Sequence, residues 1–440
     1  MSAWARIRFA LGDFAFNLLW QSVSLYLLYY YTDVLGVRVE IAALLYMAGS
    51  IWEGVADLAV GGLIDRLGQR GVPCRRWLIV GSVPLCLAFV LVYAAPVIVG
   101  RSATILLSVQ ILFRTAYTAT NLPYAALTAR ITQDSRDRAA IAGLRMGFGA
   151  LAAALVAFGT GPLGTLATGQ VDNARGFLAA ALLLAVAAGA VLLPVALAIR
   201  ERAPPVGGEP HAFARTLWRS LIGNTALMGL NAAMAAAIVA MTLTTKSVLY
   251  YFKYALGDAA AGQQALGLLG VVGGVAIPVW MRVGRSIGGR NVWLAACALG
   301  VLAVAAYAAT PGADARTAQL FLCAMQTGFV GLNYAFWSLL PDTIEYGERA
   351  TGLRMEGTAF GAAALLQKLA LAGVTGGFGL ALGAIGYRAN AVQHPGTLAG
   401  MRTILLAGPA IALLVSAACI AANPLRRGTH ARIVAELGAG

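Results

Sequence analysis

Two carboxylates four residues apart, Glu53 and Asp57, stand near the middle of an apolar run from about Ile41 to Leu63. A helix of roughly 23 residues, rising 1.5 Å per residue, is long enough to cross a hydrocarbon core about 30 Å thick. The four-residue spacing puts both acids on one side of that helix. An ionised side chain at such depth costs from about 3 to more than 10 kcal/mol. It persists only when it is paired, wetted or protonated. Crowded like charge in a low dielectric favours a proton shared within the pair. A hard cation such as sodium is the other candidate occupant, because Thr118, Thr120 and Asn121 on a neighbouring apolar run offer neutral oxygens. Arg114 on that same run supplies a competing reading, a buried ion pair that only stiffens the bundle.

Other polar residues lie in apolar surroundings. Asn17, Trp20 and Gln21 fall within one turn of the first run. They combine amide donors and acceptors with an aromatic face, the mixture a sugar ring needs. Lys368 is mid-run and must answer a carboxylate or an anionic solute, whereas Lys246 lies nearer an end and snorkels. Tyr29, Tyr30 and Tyr31 read as an aromatic belt at a membrane interface.

The elements that must hold these residues are membrane spans. The chain has 440 residues, 60% hydrophobic and 11% charged, against about 25% charged in a soluble domain. Its net charge of +14 sits in short loops, which points to membrane orientation and not to nucleic acid. Five scattered cysteines without CxxC spacing give no disulfide framework and no zinc site. No cleavable signal peptide is expected, since the first run is long and contains Asp13, Asn17 and Gln21.

Twelve spans are expected, at about 13–34, 41–64, 77–97, 103–128, 139–161, 175–199, 222–252, 262–282, 291–309, 317–340, 356–386 and 401–422. The polar stretch 200–219, with Pro204-Pro205 and Gly207-Gly208, reads as a cytoplasmic linker. It separates six-span bundles at 1–199 and 220–440, the second with a short cytoplasmic tail. Arginines concentrate in the even-numbered loops and the tail, while the odd-numbered loops have few, so both termini should be cytoplasmic. The halves echo one another: Gly143-Leu144-Arg145-Met146 returns as Gly352-Leu353-Arg354-Met355. Parallel six-span repeats mark the major facilitator architecture, all-α with twelve transmembrane helices in two six-helix halves. Glycines four apart (Gly143 and Gly147, Gly270 and Gly274, Gly373 and Gly377) are expected at close helix contacts.

Several stretches together resemble the glycoside-pentoside-hexuronide:cation symporter family. They are Asp13-Phe14-Ala15-Phe16-Asn17 through Tyr31-Thr32-Asp33-Val34, Ile51-Trp52-Glu53 through Asp57, Asn121-Leu122-Pro123-Tyr124, and Pro341-Asp342 through Gly347-Glu348 with Arg354, Glu356, Gln367 and Lys368. The resemblance implies a coupling-cation site at Glu53, Asp57, Thr118 and Asn121, with either H+ or Na+ as the ion. It implies a solute bordered by Asn17, Asn121, Arg145 and Lys368. Trp20, Gln21, Tyr124, Asn333, Trp337 and Gln367 are added as solute contacts. The melibiose permease branch has acidic residues where Asn17 and Asn121 stand and a tryptophan where Ala125 stands. Those departures argue against galactosides and favour protons over sodium.

The expected function is cation-coupled symport of a sugar, glycoside or similar polyhydroxylated solute by a multi-pass protein of the cell membrane. The alternative is a transporter of an amphipathic or lipid-like solute. No enzyme chemistry, cofactor or resident metal is expected, and the partners are the solute, the coupling cation and the lipid bilayer, around a monomer. Charged residues at cytoplasmic helix ends, Asp65, Arg66, Arg70, Asp342, Glu345 and Arg354, are expected to act as a gate. Exposed pairs contribute under about 1 kcal/mol each, so several must act together.

Overall fold

The computed structural model describes residues 2–69, 72–131, 135–170, 173–199, 201, 224–310, 312, 314–351 and 356–424. Among them are twelve α-helices: α1 (Ala3–Tyr29), α2 (Val39–Gln69), α3 (Cys74–Ile98), α4 (Ala103–Ile131), α5 (Ser135–Thr168), α6 (Ala174–Ala198), α7 (Thr225–Tyr250), α8 (Ala259–Ile287), α9 (Gly289–Ala308), α10 (Ala315–Thr351), α11 (Glu356–Ala384) and α12 (Pro395–Ala422). Most of the linker expected at 200–219 lies outside the described residues, as do Arg70 and Arg354. Nine of the twelve helices are long and apolar enough to cross a membrane, counted over the described residues. The other three, α1, α4 and α10, are the ones richest in polar side chains. They carry Asp13, Asn17 and Gln21; Gln110, Arg114 and Asn121; and Gln319, Gln326 and Asn333 respectively.

The described residues form two compact units. The first contains α1 to α6 with Ala259–Val271 of α8 and Gly376–His394 of α11 and the segment after it. Within it α1 packs on α5 and α6, α3 on α4 and α6, and α2 on α4. Helix backbones approach where side chains vanish: a Cβ on Gly379 would lie 2.0 Å from Ala43 Cβ, and one on Gly176 would lie 2.9 Å from Gly164 O. The four-apart glycines behave otherwise than expected. Gly270 abuts Ala154 of α5, but a Cβ on Gly143, Gly147, Gly274, Gly373 or Gly377 would meet nothing within 4 Å among the described residues. Contact depends on which face a neighbour crosses, and spacing along one helix does not determine that.

The second unit contains the rest of the described chain. Here α7 packs on α12 and α10, and α9 on α10 and α12. Polar side chains fasten these helices. Trp293 Nε1 on α9 donates to Ser416 Oγ of α12 (3.0 Å), and Ser416 Oγ donates to Ala233 O of α7 (2.7 Å). Asn224 caps α7 by accepting from Leu227 N (2.9 Å) and donates to Thr343 O of α10 (2.7 Å). Each such bond answers a polar group that the lipid-facing alternative would leave unsatisfied.

One device occurs in both units. α1 and α7 each run into a five-residue π-helical turn, Tyr30–Val34 and Tyr251–Ala255. The sequences match, Leu28-Tyr29-Tyr30 through Leu35-Gly36 against Leu249-Tyr250-Tyr251 through Leu256-Gly257. Both turns end on a glycine in the left-handed region, φ +73° at Gly36 and +70° at Gly257. The tyrosines of the first turn are not an interfacial belt. Tyr29, Tyr30 and Tyr31 are 4%, 0% and 0% exposed. Consecutive helical residues point about 100° apart, so three buried in a row need neighbours on every side. α3, α4 and α6 supply them: Tyr30 Oη donates to Tyr93 O (3.0 Å), Tyr31 Oη donates to Leu106 O (3.4 Å), and the Tyr30 ring lies 5.3 Å from Phe177.

The same turn receives the segment that joins α11 to α12. Asp33 is buried. Its Oδ2 accepts from Tyr387 Oη (2.7 Å) and Thr32 Oγ1 (2.8 Å), and its backbone carbonyl accepts from Asn390 Nδ2 (2.6 Å). Gln393 braces the segment internally, donating to Arg388 O (2.5 Å) and Ala391 O (2.7 Å).

Replacing Gly36 or Gly257 with alanine should cost about 1 kcal/mol, since L residues are disfavoured at positive φ. Thermal unfolding of the purified protein in detergent reads this. Gly274→Ala, helical and uncrowded, is the control, expected neutral or slightly stabilising.

Candidate functional site

α2 and α4 run parallel in register, and their facing side chains form a ladder. Glu53 meets Arg114 and Asp57 meets Thr118, each pair 61 residues apart. A Cβ on Gly61 would touch Leu122 at 3.7 Å, extending the same step. The four-residue repeat on both helices produces the match, one rung per turn.

The first rung is an ion pair. Arg114 Nη1 donates to Glu53 Oε2, with the side chains 1% and 7% exposed. The guanidinium also lies over the rings of Tyr46 (5.1 Å) and Trp20 (5.6 Å), which stabilise a desolvated cation. Gln110, with its amide oriented to suit both neighbours, accepts from Arg114 Nε (3.3 Å) and donates to Leu45 O (3.2 Å). Gly49 makes the room: a Cβ there would lie 2.5 Å from the Gln110 amide and 3.0 Å from Arg114 Nε. The second rung differs. Asp57 is half-buried, and Thr118 Oγ1, itself buried, donates to its Oδ1 at 2.8 Å. Thr120 turns back on its own helix, donating to Ala116 O (2.8 Å). Asn121 is half-buried one turn beyond Tyr117 and has no hydrogen-bond partner among the described residues.

A second ion pair crosses from α1 to α5. Arg145 Nε and Nη2 both reach the Asp13 carboxylate, the latter to Oδ1 at 3.2 Å. The Arg145 guanidinium lies 5.1 Å from the Tyr124 ring centre. Tyr124 is fully enclosed: its hydroxyl donates to Phe9 O (2.6 Å), its ring stacks on Phe9, and Gly12 leaves the space it fills. Along α1, Asn17 Nδ2 donates to Asp13 O (2.9 Å) and Gln21 Nε2 to Asn17 Oδ1 (3.4 Å). Asn17, Trp20, Gln21 and Arg145 are all half-buried. Trp20 leans on Tyr117 with ring centres 5.1 Å apart. The first unit thus brings Asn17, Trp20, Gln21 and Arg145 onto one polar surface beside the α2–α4 ladder.

Most of the remaining expected residues belong to the second unit. Asn333 and Trp337 are exposed one turn apart on α10, and Gln367 and Lys368 are half-buried on α11. Asp342 and Glu345 are half-buried near the end of α10. Asp65 and Arg66 belong to α2, but their side chains lie outside the described residues. Sequence reading passed over Asp13, Gln110, Tyr46 and Gly49 as site residues. Asp13 had a signal, since Asp13, Asn17 and Gln21 share a four-residue spacing. Tyr46 and Gly49 had none, because only the packed α4 gives them a role.

Removing one partner of the α1–α5 pair strands the other in a poorly solvated place. Asp13→Asn should destabilise the protein by at least about 2 kcal/mol, and Asp13→Asn/Arg145→Gln should recover part of that loss. A double-mutant cycle on thermal stability in detergent measures the coupling.

A family model described as MFS/sugar transport protein matches residues 8–427. The chain is 27% identical over 402 residues to a Bacillus subtilis (strain 168) symporter, YnaJ, covering 90% of this chain and 86% of that one. It is 26% identical over 440 residues to the glucuronide carrier protein homolog of Escherichia coli (strain K12), covering 98% and 94%. A solved structure concerned with substrate recognition in proton dependent oligopeptide transporters superposes with TM-score 0.70 at 13% identity, over 98% of this chain and 99% of that one, and shows the fold alone. The all-helical build and the match over nearly the whole length agree with the resemblance read from the motifs. The chain belongs to the MFS/sugar transport protein family and is a multi-pass membrane transporter of a small molecule, not an enzyme.

Proposed function

We propose that the protein is a cation-coupled symporter of a glycoside, pentoside, hexuronide or similar polyhydroxylated solute. It works by alternating access as a monomer in the cell membrane with both termini cytoplasmic. The observation that carries the coupling is the second rung of the α2–α4 ladder. Asp57 lies in an apolar span, half-buried, and accepts from the buried Thr118 hydroxyl, one helical turn from Glu53, which is ion-paired with Arg114. In this reading an imported proton or sodium ion binds at that carboxylate pair. Glu53, Asp57, Thr118 and Asn121 form the ion site in this reading. The amides of Asn17 and Gln21, the Trp20 ring and Arg145 supply the first unit's share of the solute site. Asn333, Trp337, Gln367 and Lys368 supply the second's. A surface of amides, guanidinium and indole suits hydroxyls and sugar faces better than a lipid-like solute.

The two halves are residues 1–199 and 220–440, joined by 200–219. Asp65, Arg66, Arg70, Asp342, Glu345 and Arg354 hold the cytoplasmic side closed in one conformer. Ion binding lowers the negative charge of the carboxylate pair, and only then does closing the site over the solute become inexpensive.

Proteoliposomes loaded against a proton or a sodium gradient, offered a panel of glycosides, pentosides and glucuronides, test this. Wild-type protein should concentrate at least one solute, and Asp57→Asn or Glu53→Gln should abolish concentration. Undiminished accumulation in both variants would refute the assignment.

A further inference from the structure

We propose that the first unit holds an anionic phospholipid where the start of α1 meets the end of α6, with the phosphate on Arg8 and part of one acyl chain in the cavity beside it.

A cavity of ≈ 240 Å³ lies between α1, α4 and α6. Phe9 of α1, Ile131 of α4, and Val195 and Ile199 at the end of α6 form its wall, and Arg8 is the charged member. Phe9, Val195 and Ile199 are buried and Arg8 is exposed, so an apolar floor lies behind a guanidinium. The volume falls short of the ~300–1,000 Å³ of a pocket that encloses a small molecule. It suits part of a longer ligand whose remainder lies outside. Water is a poor occupant, since it needs about two to four polar partners. Leu193 and Leu197 of α6 are exposed, and on a membrane transporter such a face meets acyl chains. Trp4, 67% exposed, stands one turn before Arg8 on the same face of α1. An indole beside an arginine at a helix end marks the headgroup level.

Arg8 has donors to spare. Nη2 donates to Ala198 O at 3.3 Å, its one hydrogen bond among the described residues. A guanidinium carries five N–H groups, and a phosphate takes two in parallel. Capping the end of α6 is shared work, because Arg75 Nε of α3 donates to Ala196 O (3.1 Å). The charged groups described at this end of α1, α3 and α6 are Arg6, Arg8, Arg75, Arg76 and Glu201. Four guanidiniums stand there with one carboxylate, whose Oε2 accepts from Arg75 N (2.9 Å). That balance favours an anion, and basic pockets between helices at a membrane surface are where acidic headgroups are held.

Native mass spectrometry of the purified full-length protein, titrated with dioleoyl phosphatidylglycerol or dioleoyl phosphatidylcholine, isolates the charge, because the two lipids share their chains. Wild type should bind one phosphatidylglycerol at least about fivefold tighter than phosphatidylcholine. Arg8→Gln should erase that preference, and Arg8→Lys should keep part of it. Ala5→Phe, which fills the cavity from α1 and leaves Arg8 in place, should weaken phosphatidylglycerol by a similar factor. Arg76 is exposed on α3 and outside the cavity, so Arg76→Gln should bind as wild type does. Equal affinity of wild type for the two lipids overturns the proposal. So does a folded Arg8→Gln protein with its preference unchanged, the outcome expected if Arg8 only caps α6. Loss of preference in Arg76→Gln equal to that in Arg8→Gln also overturns it, since the attraction then belongs to the basic surface as a whole. Displacement of the lipid by an equal concentration of glycerol phosphate would make the ligand a free phosphate ester and overturn it too. Should Arg8→Gln not fold, Ala5→Phe decides, because undiminished phosphatidylglycerol binding there refutes the role given to the cavity.

Discussion

A charge placed where water is scarce has to be answered by something, and that requirement organises the first unit of this protein. The pair Arg114–Glu53 is the clearest instance. Around it α2 gives up a side chain at Gly49, α1 lends Trp20, and α4 turns Gln110 inward. The pair is not there for stability alone. A buried ion pair is often no better than well-packed apolar residues of the same volume. What it provides is a fixed sign and position for a charge beside Asp57, and a parallel register between α2 and α4 that a featureless apolar interface would leave open to slip.

The Asp13–Arg145 pair does related work two helices away. It ties α1 to α5, and its carboxylate lies one turn from Asn17. The polar surface offered to a solute is therefore held from behind. Asn17 and Gln21 are oriented by a chain of bonds along α1, and Arg145 is oriented by a carboxylate and a ring. Side chains held this way meet a ligand with little freedom left to lose.

Much of this was legible in the sequence. Twelve helices follow from twelve apolar runs, because in lipid the backbone must satisfy itself within each segment. Glu53 and Asp57 announced themselves through depth and spacing, and Thr118 as the neutral partner was within reach of the same reasoning. Other features were not legible, for a physical reason. A helix's own sequence fixes which residues share a face but not which neighbour that face meets. Asp13 could be placed beside Asn17, yet not opposite Arg145, 132 residues away. The tyrosines at 29–31 looked like a belt because amphipathic rings suit an interface; their burial depends on α3, α4 and α6 converging on a π-turn. Gly270 apart, the four-apart glycines failed as markers of contact on the same grounds. The π-turn repeat itself was present in plain view as Leu-Tyr-Tyr through Leu-Gly in both halves, a stronger echo than the loop motifs.

The segment after α11 grips Asp33 through a hydroxyl and an amide mounted on one internally braced piece of chain. Gln393 ties together the backbone on either side of Asn390 and next to Tyr387, so both donors reach Asp33 from one short, preshaped piece of chain. The π-turn at the end of α1 is thereby anchored at a side chain and at a main-chain carbonyl by a segment more than 350 residues away in sequence.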